Sequence, residues 1–292
     1  MLLENKIAGV IILYNPSHNT IKNIISYIDL LDHLFVIDNS EIPDRDIIDK
    51  ILMLTDNISY QSFGKNLGIA TALNTGCELS LTKGYEWILT MDQDSIFYED
   101  NLYNLIQSIK LVDANVTGII TPDHVTSITI NRNDFTQGTF LRLIKNCMTS
   151  GNLLNLKIWD TAGRFKDEFF IDFVDHEFCL RLNKNGYLIY LCTKSVLIHQ
   201  LGDGLLFKWL NMQLSVTNHN YIRRYYMTRN RLWCLAHYFF TDTRICIKEI
   251  YSILAELFKI ILKEEDKYKK LRSFFEGTRD FLLGKFGKYN KA

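Results

Sequence analysis

Residues 86–95 have the sequence EWILTMDQDS, and the organisation of the chain follows from this stretch. Its first six residues, mostly apolar, predict a buried strand that leads into two closely spaced carboxylates. Because side chains at i and i+2 of an extended segment point the same way, Asp92 and Asp94 can face one ligand together. Carboxylates this close repel each other unless a cation lies beside them, and oxygen ligands suit Mg²⁺ or Mn²⁺. A solvated acidic turn after a buried strand is the alternative that so short a motif leaves open.

The composition is that of a globular protein with a full core. The chain has 292 residues, of which 47% are hydrophobic and 23% are charged. It starts with MLLENK, which lacks the pattern of a secretory signal peptide, and no apolar run approaches the ~18 residues that span a bilayer. The six cysteines never form a close pair, which favours reduced thiols over disulfides or structural zinc. We therefore expect a cytoplasmic protein.

Charge is unevenly distributed although the formal net charge is zero. Residues 205–292 contain 17 basic and 8 acidic side chains, so this region carries +9 and residues 1–204 carry −9. A basic, aromatic-rich tail on an acidic body indicates contact with something anionic. The candidates are a membrane surface, a phosphate-bearing acceptor and nucleic acid. A helical subdomain that packs or oligomerises explains the composition equally well.

Strands and helices alternate from the start of the chain to Asp94. The predicted strands are 7–14, 33–38, 58–61 and 86–91, and the predicted helices are about 17–29, 45–54 and 67–81. This alternation is typical of an α/β fold with a parallel sheet covered on both faces. The turn from Tyr14 to Ser17 lacks the glycines of a dinucleotide-binding site, and the P-loop lysine motif is missing, so a nucleotide must be held another way.

The remainder of the chain gives weaker patterns. We expect a helix over 101–113, a strand over 117–121, hairpins within 123–146 and a strand over 195–198. Three helices are predicted in the tail, starting near Tyr221 and then covering 245–262 and 271–283. Nucleic-acid binding would account for the basic tail, but no feature before Leu205 supports it.

Polar residues at the ends of these elements are candidates for ligand contact. Asp38 ends the second strand and could accept hydrogen bonds from a base or a ribose, or could cap its own turn. Residues 66–76 open a helix with small side chains, which permits either close approach of a phosphate or close packing of the helix on the sheet. Ser150 and Gly151 could bring the main chain close to a ligand.

A second acidic cluster lies in residues 169–181, FFIDFVDHEFCLR. Asp175 falls at the predicted start of a helix, where it is either a helix cap or, beside Asp172 and Glu177, a general base. Further along, His199 ends a strand. It is either an ordinary hydrogen-bonded side chain or a third ligand for a metal held by the Asp92–Asp94 pair.

Taken together, these segments resemble family 2 glycosyltransferases, and within them the bacterial rhamnosyltransferase-like branch that builds surface polysaccharides. The matching segments, in the order in which the family has them, are Tyr14–Pro16, Ile37–Ser40, Asn66–Gly68 with Asn74–Gly76, Asp92–Asp94, Ser150–Asn152, Phe170–Glu177 and His199–Gly202. The segment Tyr225–Asn230 shows a weaker similarity to the same family. Each motif is short, and their specificity comes from the shared order.

The resemblance implies a GT-A fold over residues 1–204 and leaves residues 205–292 as a helical, basic C-terminal region. It also implies inverting transfer of a sugar from a nucleotide donor, with a divalent metal on the donor diphosphate. By the same resemblance, Asp94 is the principal metal ligand, Asp92 lies near the ribose or the metal, and His199 completes the metal site. Asp175 matches the catalytic base.

The remaining site residues follow from the resemblance in the same way. Contacts with the nucleotide-sugar are expected from Tyr14, Asn15, Asp38 (at the nucleobase), Asn66, Gly68, Asn74, Asp92 and Gln93. Contacts with the acceptor or the transferred sugar are expected from Ser150, Gly151, Asp172, His176 and Glu177. His176 departs from the small or hydroxyl residue common in the family, which is expected to change acceptor contacts or the basicity of Asp175.

The resemblance favours dTDP-L-rhamnose as donor, followed by UDP-galactofuranose or another UDP-hexose. The expected acceptor is a lipid-linked glycan of O-antigen, capsule or cell-wall synthesis, met by the basic tail at the inner face of the cytoplasmic membrane. A sugar-nucleotide pyrophosphorylase is disfavoured because the turn after the first strand has no glycine-rich loop with Arg and Lys. A non-catalytic scaffold is disfavoured because Asp92, Asp94, Asp175 and His199 are all present. The sequence leaves open whether the tail also forms a homo-oligomer.

Overall fold

The computed structural model describes residues 6–125, 140–199, 205–209, 212–216 and 219–289, with only the main chain described for His199 and for 205–209 and 212–216. Within these residues the chain forms eleven strands and nine α-helices. The strands are β1 (Ile7–Leu13), β2 (His33–Asp38), β3 (Ile58–Ser62), β4 (Trp87–Asp92), β5 (Ser95–Phe97), β6 (Thr117–Val125), β7 (Leu141–Ile144), β8 (Asn152–Asn155), β9 (Leu188–His199), β10 (Leu205–Trp209) and β11 (Met212–Val216). The helices are α1 (His18–Ile25), α2 (Arg45–Leu52), α3 (Ile69–Thr82), α4 (Asn101–Gln107), α5 (Leu156–Ala162), α6 (Val174–Lys184), α7 (Tyr221–Tyr238), α8 (Thr243–Leu262) and α9 (Lys267–Leu282).

One mixed, mostly parallel sheet forms the body. Its strand order is β3-β2-β1-β4-β8-β6-β9-β5, with β7 paired to β9. Strands β3, β2, β1 and β4 run parallel, and Ile12 of β1 lies opposite Ile37 on one side and Asp92 on the other. The carboxyl ends of these strands therefore meet at one edge, where ligands bind in open α/β sheets. The antiparallel strand β8 starts at the same edge, beside the end of β4.

Helices cover both faces of this sheet, as the alternation of elements predicts. All seven residues of β1 are buried. Ala8, Val10 and Ile12 share one core with residues of α3, α5 and α6, whereas Ile7 and Ile11 share the other with residues of α1, α2 and α4. This burial on both faces explains why the strand is a continuous apolar run.

The small residues of α3 serve close packing. A Cβ atom placed on Gly76 would lie 2.3 Å from the Cγ2 atom of Val10, so the helix lies directly on β1 because position 76 has no side chain. Of the two roles considered for the small residues 66–76, close packing of the helix on the sheet is therefore confirmed at Gly76.

The predicted hairpins within 123–146 are described only in part. β6 extends to Val125 and β7 covers Leu141–Ile144, whereas residues 126–139 lie outside the described residues. β7 pairs with β9 in antiparallel orientation.

The basic C-terminal region starts differently from the helical prediction. Its first elements, β10 and β11, form an antiparallel hairpin in which Trp209 pairs with Met212. Aromatic residues such as Phe207 and Trp209 favour strands, which accounts for the difference. The predicted helices follow as α7, α8 and α9, with α7 packed against both of the others.

Many of the tail's basic side chains are neutralised inside it. Arg224 contacts Glu256 at 3.0 Å and Glu264 at 2.6 Å, and Arg231 contacts Glu256 at 2.8 Å. Because buried charges are stable only when they are paired, these ion pairs hold α7 and α8 together. Among the helices that the structure describes, none is both long enough and apolar enough to cross a bilayer.

Candidate active site

An open cleft of about 610 Å³ lies at the carboxyl edge of the parallel strands, within the size range of small-molecule sites. The end of β4 contributes Asp92 and Asp94, and the turn into α6 contributes residues 171–176. Further lining comes from Ile69, Met148 and Thr149 and, in the C-terminal region, from His219, Arg223, Met227, Arg231, Glu249 and Ser252. The cleft therefore brings both predicted acidic clusters together, and the tail forms part of its wall.

The end of β4 is fixed by hydrogen bonds from the loop before β8. The main-chain N–H of Asp92 donates to Ser150 Oγ at 3.1 Å, and Ser150 Oγ donates to Ser95 Oγ at 2.8 Å. The Gly151 N–H donates to the Thr90 carbonyl at 2.7 Å, with Gly151 at φ +81°. The structure thus places Ser150 and Gly151 beneath the Asp92–Asp94 turn, where they support it.

The two aspartates of this turn face the same cleft. Asp94 is exposed and Asp92 is half-buried. Burial raises the pKa of the Asp92 carboxyl to about 7, and the negative charges of Asp94 and Asp175 add to this rise, against a smaller effect of Arg223. A positive charge beside this pair would therefore be stabilising.

Three of the residues that the sequence assigns to the donor, Tyr14, Asn15 and Gln93, lie in a hydrogen-bonded layer at the strand ends. The Tyr14 N–H donates to Gln93 Oε1 at 2.9 Å, and Gln93 Nε2 donates back to the Tyr14 carbonyl at 3.1 Å. The Asn15 N–H donates to Ser40 Oγ at 2.8 Å. These bonds tie the loop after β1 to the loops after β4 and β2.

Asp38 lies in the same layer but below the surface. Its carboxylate is fully buried and accepts hydrogen bonds from the Ser40 N–H at 2.8 Å and from the Tyr60 hydroxyl at 2.9 Å. Burial and this carboxylate together raise the pKa of Tyr60 to about 12. The contact of Asp38 with a nucleobase stays a prediction, and the half-buried Tyr60 is its immediate polar neighbour.

The start of α3 is pressed against the loop that leads to Asp175. Gly68 has φ +91°, and a Cβ atom there would lie 2.5 Å from the Phe170 carbonyl oxygen. The Gly68 N–H donates to Asn66 Oδ1 at 2.9 Å, and the Ile69 N–H donates to the Phe170 carbonyl at 2.7 Å. This helix terminus, predicted to approach a phosphate, uses the Ile69 N–H to hold the loop before α6.

Two further predicted contact residues, like Ser150 and Gly151, do not line the cleft. Asn74 is buried within α3, where its amide exchanges hydrogen bonds with the main chain of Phe165. Glu177 is fully buried, and its carboxylate accepts from Arg181 at 2.7 Å and from the Tyr238 hydroxyl at 2.7 Å. Both are internal anchors because the helix positions they occupy point into the core.

Asp175 and His176 form a hydrogen-bonded pair in the first turn of α6. His176 Nδ1 contacts Asp175 Oδ1 at 2.9 Å, and the His176 N–H donates to the same oxygen at 2.8 Å. Burial alone opposes both charges, but the Asp175 carboxylate raises the pKa of His176 to about 9, and the His176 charge lowers the pKa of Asp175. At neutral pH the pair is therefore a carboxylate beside an imidazolium.

The loop before α6 has an unusual main-chain conformation. Phe170, Asp172 and Phe173 have φ values of 66°, 61° and 64°, in the left-handed region that residues with side chains rarely adopt. Such strain persists only where the surroundings enforce it. The loop is thus held in place by contacts from elsewhere in the chain.

Helix α7 supplies those contacts. Asn230 Nδ2 donates to the carbonyls of Phe169, Ile171 and Asp172 at 2.8–3.0 Å. Arg229, which is also buried, donates to the Phe169 carbonyl at 3.1 Å. These two residues belong to the segment Tyr225–Asn230, which shows the weaker similarity to the family. Their contacts explain that similarity, because they fix the loop that carries Asp172 and Asp175.

An Asn230→Ala variant tests this anchoring. It removes the Asn230 donor from the partly buried carbonyls of Ile171 and Asp172, so we expect the free energy of unfolding to fall by about 2–3 kcal/mol. Because Asp175 would lose its fixed position, turnover is expected to fall by ~10- to 10²-fold. Denaturant unfolding and a transfer assay measure both effects, with His237→Ala, an exposed position on the same helix, as control. Unchanged stability in Asn230→Ala would contradict the anchoring role.

Sequence reasoning missed the residues that the tail contributes to the cleft. Arg223 donates to Asp172 at 2.6 and 3.3 Å, and its charge acts on both Asp92 and Asp175. Glu249 and Ser252 of α8 also line the cleft. In the sequence, the only indication that the tail reaches the cleft was the weak family similarity at Tyr225–Asn230, on the same helix as Arg223. No motif marks the residues of α8.

The predicted metal site is described in part. Among the described side chains, no group of three or more Asp, Glu, His or Cys residues could hold a metal ion. The side chain of His199 lies outside the described residues, although its main chain pairs with Ser95, next to Asp94. Asp92 and Asp94 supply carboxylate oxygens, and a diphosphate would supply more, which is the donor set that a hard divalent cation prefers. The residues present therefore fit such a cation.

Several known proteins resemble this chain in sequence or in fold. The family model for glycosyl transferase family 2 matches residues 10–168. The dTDP-rhamnosyl transferase RfbF of Shigella flexneri is 26% identical over 302 residues, which cover 99% of this chain and 100% of that protein. The solved structure of GalNAc-T7 with UDP, GalNAc and Mn²⁺ matches with a TM-score of 0.55 at 12% identity.

The likeness to GalNAc-T7 covers 66% of this chain but only 43% of that one, and at this identity it shows a shared fold alone. The family match is of another kind, because it extends over more than half of the chain, from β1 to the turn before α6. On this match, and on the sheet and cleft that carry it, the chain belongs to glycosyl transferase family 2 and has the GT-A fold.

Proposed function

We propose that the protein is a metal-dependent, inverting glycosyltransferase that moves L-rhamnose from dTDP-L-rhamnose to a hydroxyl group of a lipid-linked glycan. The geometry that supports the reaction is the cleft itself, in which Asp92 and Asp94 share one space with Asp175. The support for the sugar is the relative RfbF, whose likeness extends over its whole length. A UDP-hexose or UDP-galactofuranose donor is the second candidate for the same cleft.

The residues divide into a donor side and an acceptor side. On the donor side, the loops after β1, β2 and β4 form the hydrogen-bonded layer described above, and Asp92 and Asp94 end in the cleft. A divalent cation held there by the two aspartates would neutralise negative charge as the nucleoside diphosphate leaves. In GalNAc-T7, the structurally similar protein, UDP and Mn²⁺ are both present.

On the acceptor side, Asp175 receives the proton of the attacking hydroxyl group. Inversion requires a base on the face of the sugar opposite the leaving group, and Asp175 is ionised because its pKa is lowered. His176 holds the Asp175 carboxylate through Nδ1 and thereby orients it. Arg223, paired with Asp172 in the same wall of the cleft, places a fixed positive charge near the reacting groups.

The charge of His176 gives the reaction a pH dependence that can be tested. Asp175 must be ionised to act as a base, and the imidazolium lowers its pKa, so wild-type turnover is retained as the pH falls. In a His176→Ala variant, only main-chain hydrogen bonds still oppose the effect of burial on the pKa of Asp175, and the acidic limb of the pH–rate profile is expected to move to higher pH. A His176→Asn variant keeps an N–H donor without the charge and should show the same direction of shift. An acidic limb that stays in place in both variants would contradict this account.

The donor proposal is tested by release of the nucleoside diphosphate. The full chain is incubated with dTDP-L-rhamnose or with UDP-hexoses, each with Mn²⁺ or with EDTA. With Mn²⁺ we expect slow release of dTDP, as water takes the place of the acceptor hydroxyl and L-rhamnose is set free, and with EDTA we expect no release. Preferential release of UDP would select the second candidate, whereas turnover that EDTA leaves unchanged would contradict metal dependence.

A further inference from the structure

The outward face of α8 is apolar from Ile247 to its last residue, Leu262. Seven large apolar side chains on this helix are exposed, each at 38–68% of its full area: Ile247, Ile250, Tyr251, Leu254, Phe258, Ile261 and Leu262. At ~100° per residue, all of them fall within ~120° of the helix circumference. Exposed apolar residues scattered singly need no explanation, but a continuous face of this kind marks an interaction surface.

The opposite face of the same helix packs against the rest of the protein. Glu249 contacts Arg231 at 3.1 Å, and Glu256 contacts both Arg231 and Arg224 at 2.8 and 3.0 Å. Glu249 and Ser252, on this inner face, also line the active cleft. The orientation of α8 is thus fixed by ion pairs, with the cleft on one side and the apolar face on the other.

The charges around the apolar face are mostly positive. Arg244, Lys248 and Lys263 are exposed on α8 or directly after it, and Lys267 is exposed at the start of α9, followed by Lys269, which pairs with Asp266 at 3.0 Å. The exposed acids in this region are Glu265 and Asp266, because Glu249, Glu256 and Glu264 form ion pairs with α7 and α9. A two-fold contact between copies of this face would bring like charges together, whereas an anionic surface complements them.

We propose that the outer face of α8 lies in the surface of an anionic lipid bilayer, with its apolar side chains below the headgroups and its cations among them. Because Glu249 and Ser252 of the same helix line the cleft, this placement would hold the cleft next to the lipid surface. That last consequence rests on the proposed function, in which the acceptor is a lipid-linked glycan.

Vesicle flotation with the full chain tests the surface. The probes are vesicles of phosphatidylglycerol mixed with phosphatidylcholine, and vesicles of phosphatidylcholine alone. We expect wild type to float with the anionic vesicles, and Leu254→Glu/Ile261→Glu to bind them at least ~10-fold more weakly, because it removes apolar contact and adds repulsion. The matched control is Met53→Glu/Leu111→Glu, which changes two exposed apolar residues of the sheet domain and should bind like wild type.

Three results would overturn the proposal: wild type that ignores anionic vesicles, equal binding to both kinds of vesicle, and an α8 double variant that still binds as wild type does. A gel-filtration dimer that only the α8 variant dissociates would assign the face to a second copy and would also overturn it. The transferase proposal is measured separately, by dTDP release without vesicles. Vesicle binding without turnover would contradict only the transferase proposal. Turnover without vesicle binding would contradict only the proposed membrane-binding surface.

Discussion

An Asp175→Asn variant is expected to bind dTDP and Mn²⁺ as wild type does and to lose sugar transfer by ~10²–10⁴-fold, the range that general-base catalysis contributes. The amide has nearly the same shape as the carboxylate but cannot take the proton of the acceptor hydroxyl. Asp175 is suited to this role because it lies at the start of α6, lines the cleft and is held by two hydrogen bonds from His176.

Two measurements separate the chemical step from binding in this variant. Isothermal titration with dTDP and Mn²⁺ reports the donor side, and release of dTDP in the presence of acceptor reports transfer. Asp160→Asn, which changes an exposed carboxylate on α5 to its amide, is the control and should retain turnover. If Asp175→Asn turns over within a few-fold of wild type, Asp175 is not the base.

The second large effect is expected at Asp94. An Asp94→Ala variant removes the exposed carboxylate of the Asp92–Asp94 pair, and we expect turnover to fall by ~10²–10³-fold or more, the loss typical of a missing charge-stabilising group. It should also weaken binding of dTDP when Mn²⁺ is present, and little when EDTA is present, because the carboxylate acts through the cation.

A titration of dTDP with and without Mn²⁺ in wild type and variant measures this coupling. The control is Asp100→Asn, at the start of α4, which changes an exposed acid close in sequence to the cleft residues. An Asp94→Ala variant that keeps the full Mn²⁺ dependence of dTDP binding would remove Asp94 from the metal site.

Local patterns in the sequence predicted the sheet, whereas the meeting of the two acidic clusters was expected from the resemblance to family 2 glycosyltransferases. The continuous apolar run of β1 reflects burial on both faces. The placement of Asp92 and Asp94 follows from the end of β4, and the placement of Asp175 follows from the start of α6. Each of these patterns is short and is decided within a single element.

Two helical residues were assigned to the cleft wrongly because the direction in which each side chain points from its helix was not considered. Glu177 is only two residues from Asp175, but residues i and i+2 of a helix point ~200° apart, so one lines the cleft and the other enters the core. Asn74 lies in the second turn of α3, and its amide is taken by the main chain of Phe165. Helical periodicity would have separated both residues from the cleft contacts.

The partners of the basic residues in the tail could not be predicted from the sequence because they depend on long-range packing. The excess of basic residues after Leu205 favoured a tail that meets an external anion, but Arg224, Arg231 and Lys270 form ion pairs within the tail. Arg229 and Asn230 instead hold the loop before α6, some 60 residues earlier in the chain. Composition cannot distinguish these internal partners from external ones, because pairing depends on which helices pack together.

The proposed mechanism requires a defined arrangement of the cation, the diphosphate and Asp175. The most direct measurement is a crystal structure of the full chain with dTDP and Mn²⁺, in which anomalous scattering locates the metal. We predict one manganese within ~2.3 Å of an Asp94 carboxylate oxygen, with the diphosphate bound to it and Asp175 facing the cleft from the opposite wall. Manganese bound away from Asp92 and Asp94, or a diphosphate seated against Asp175 and His176, would contradict it.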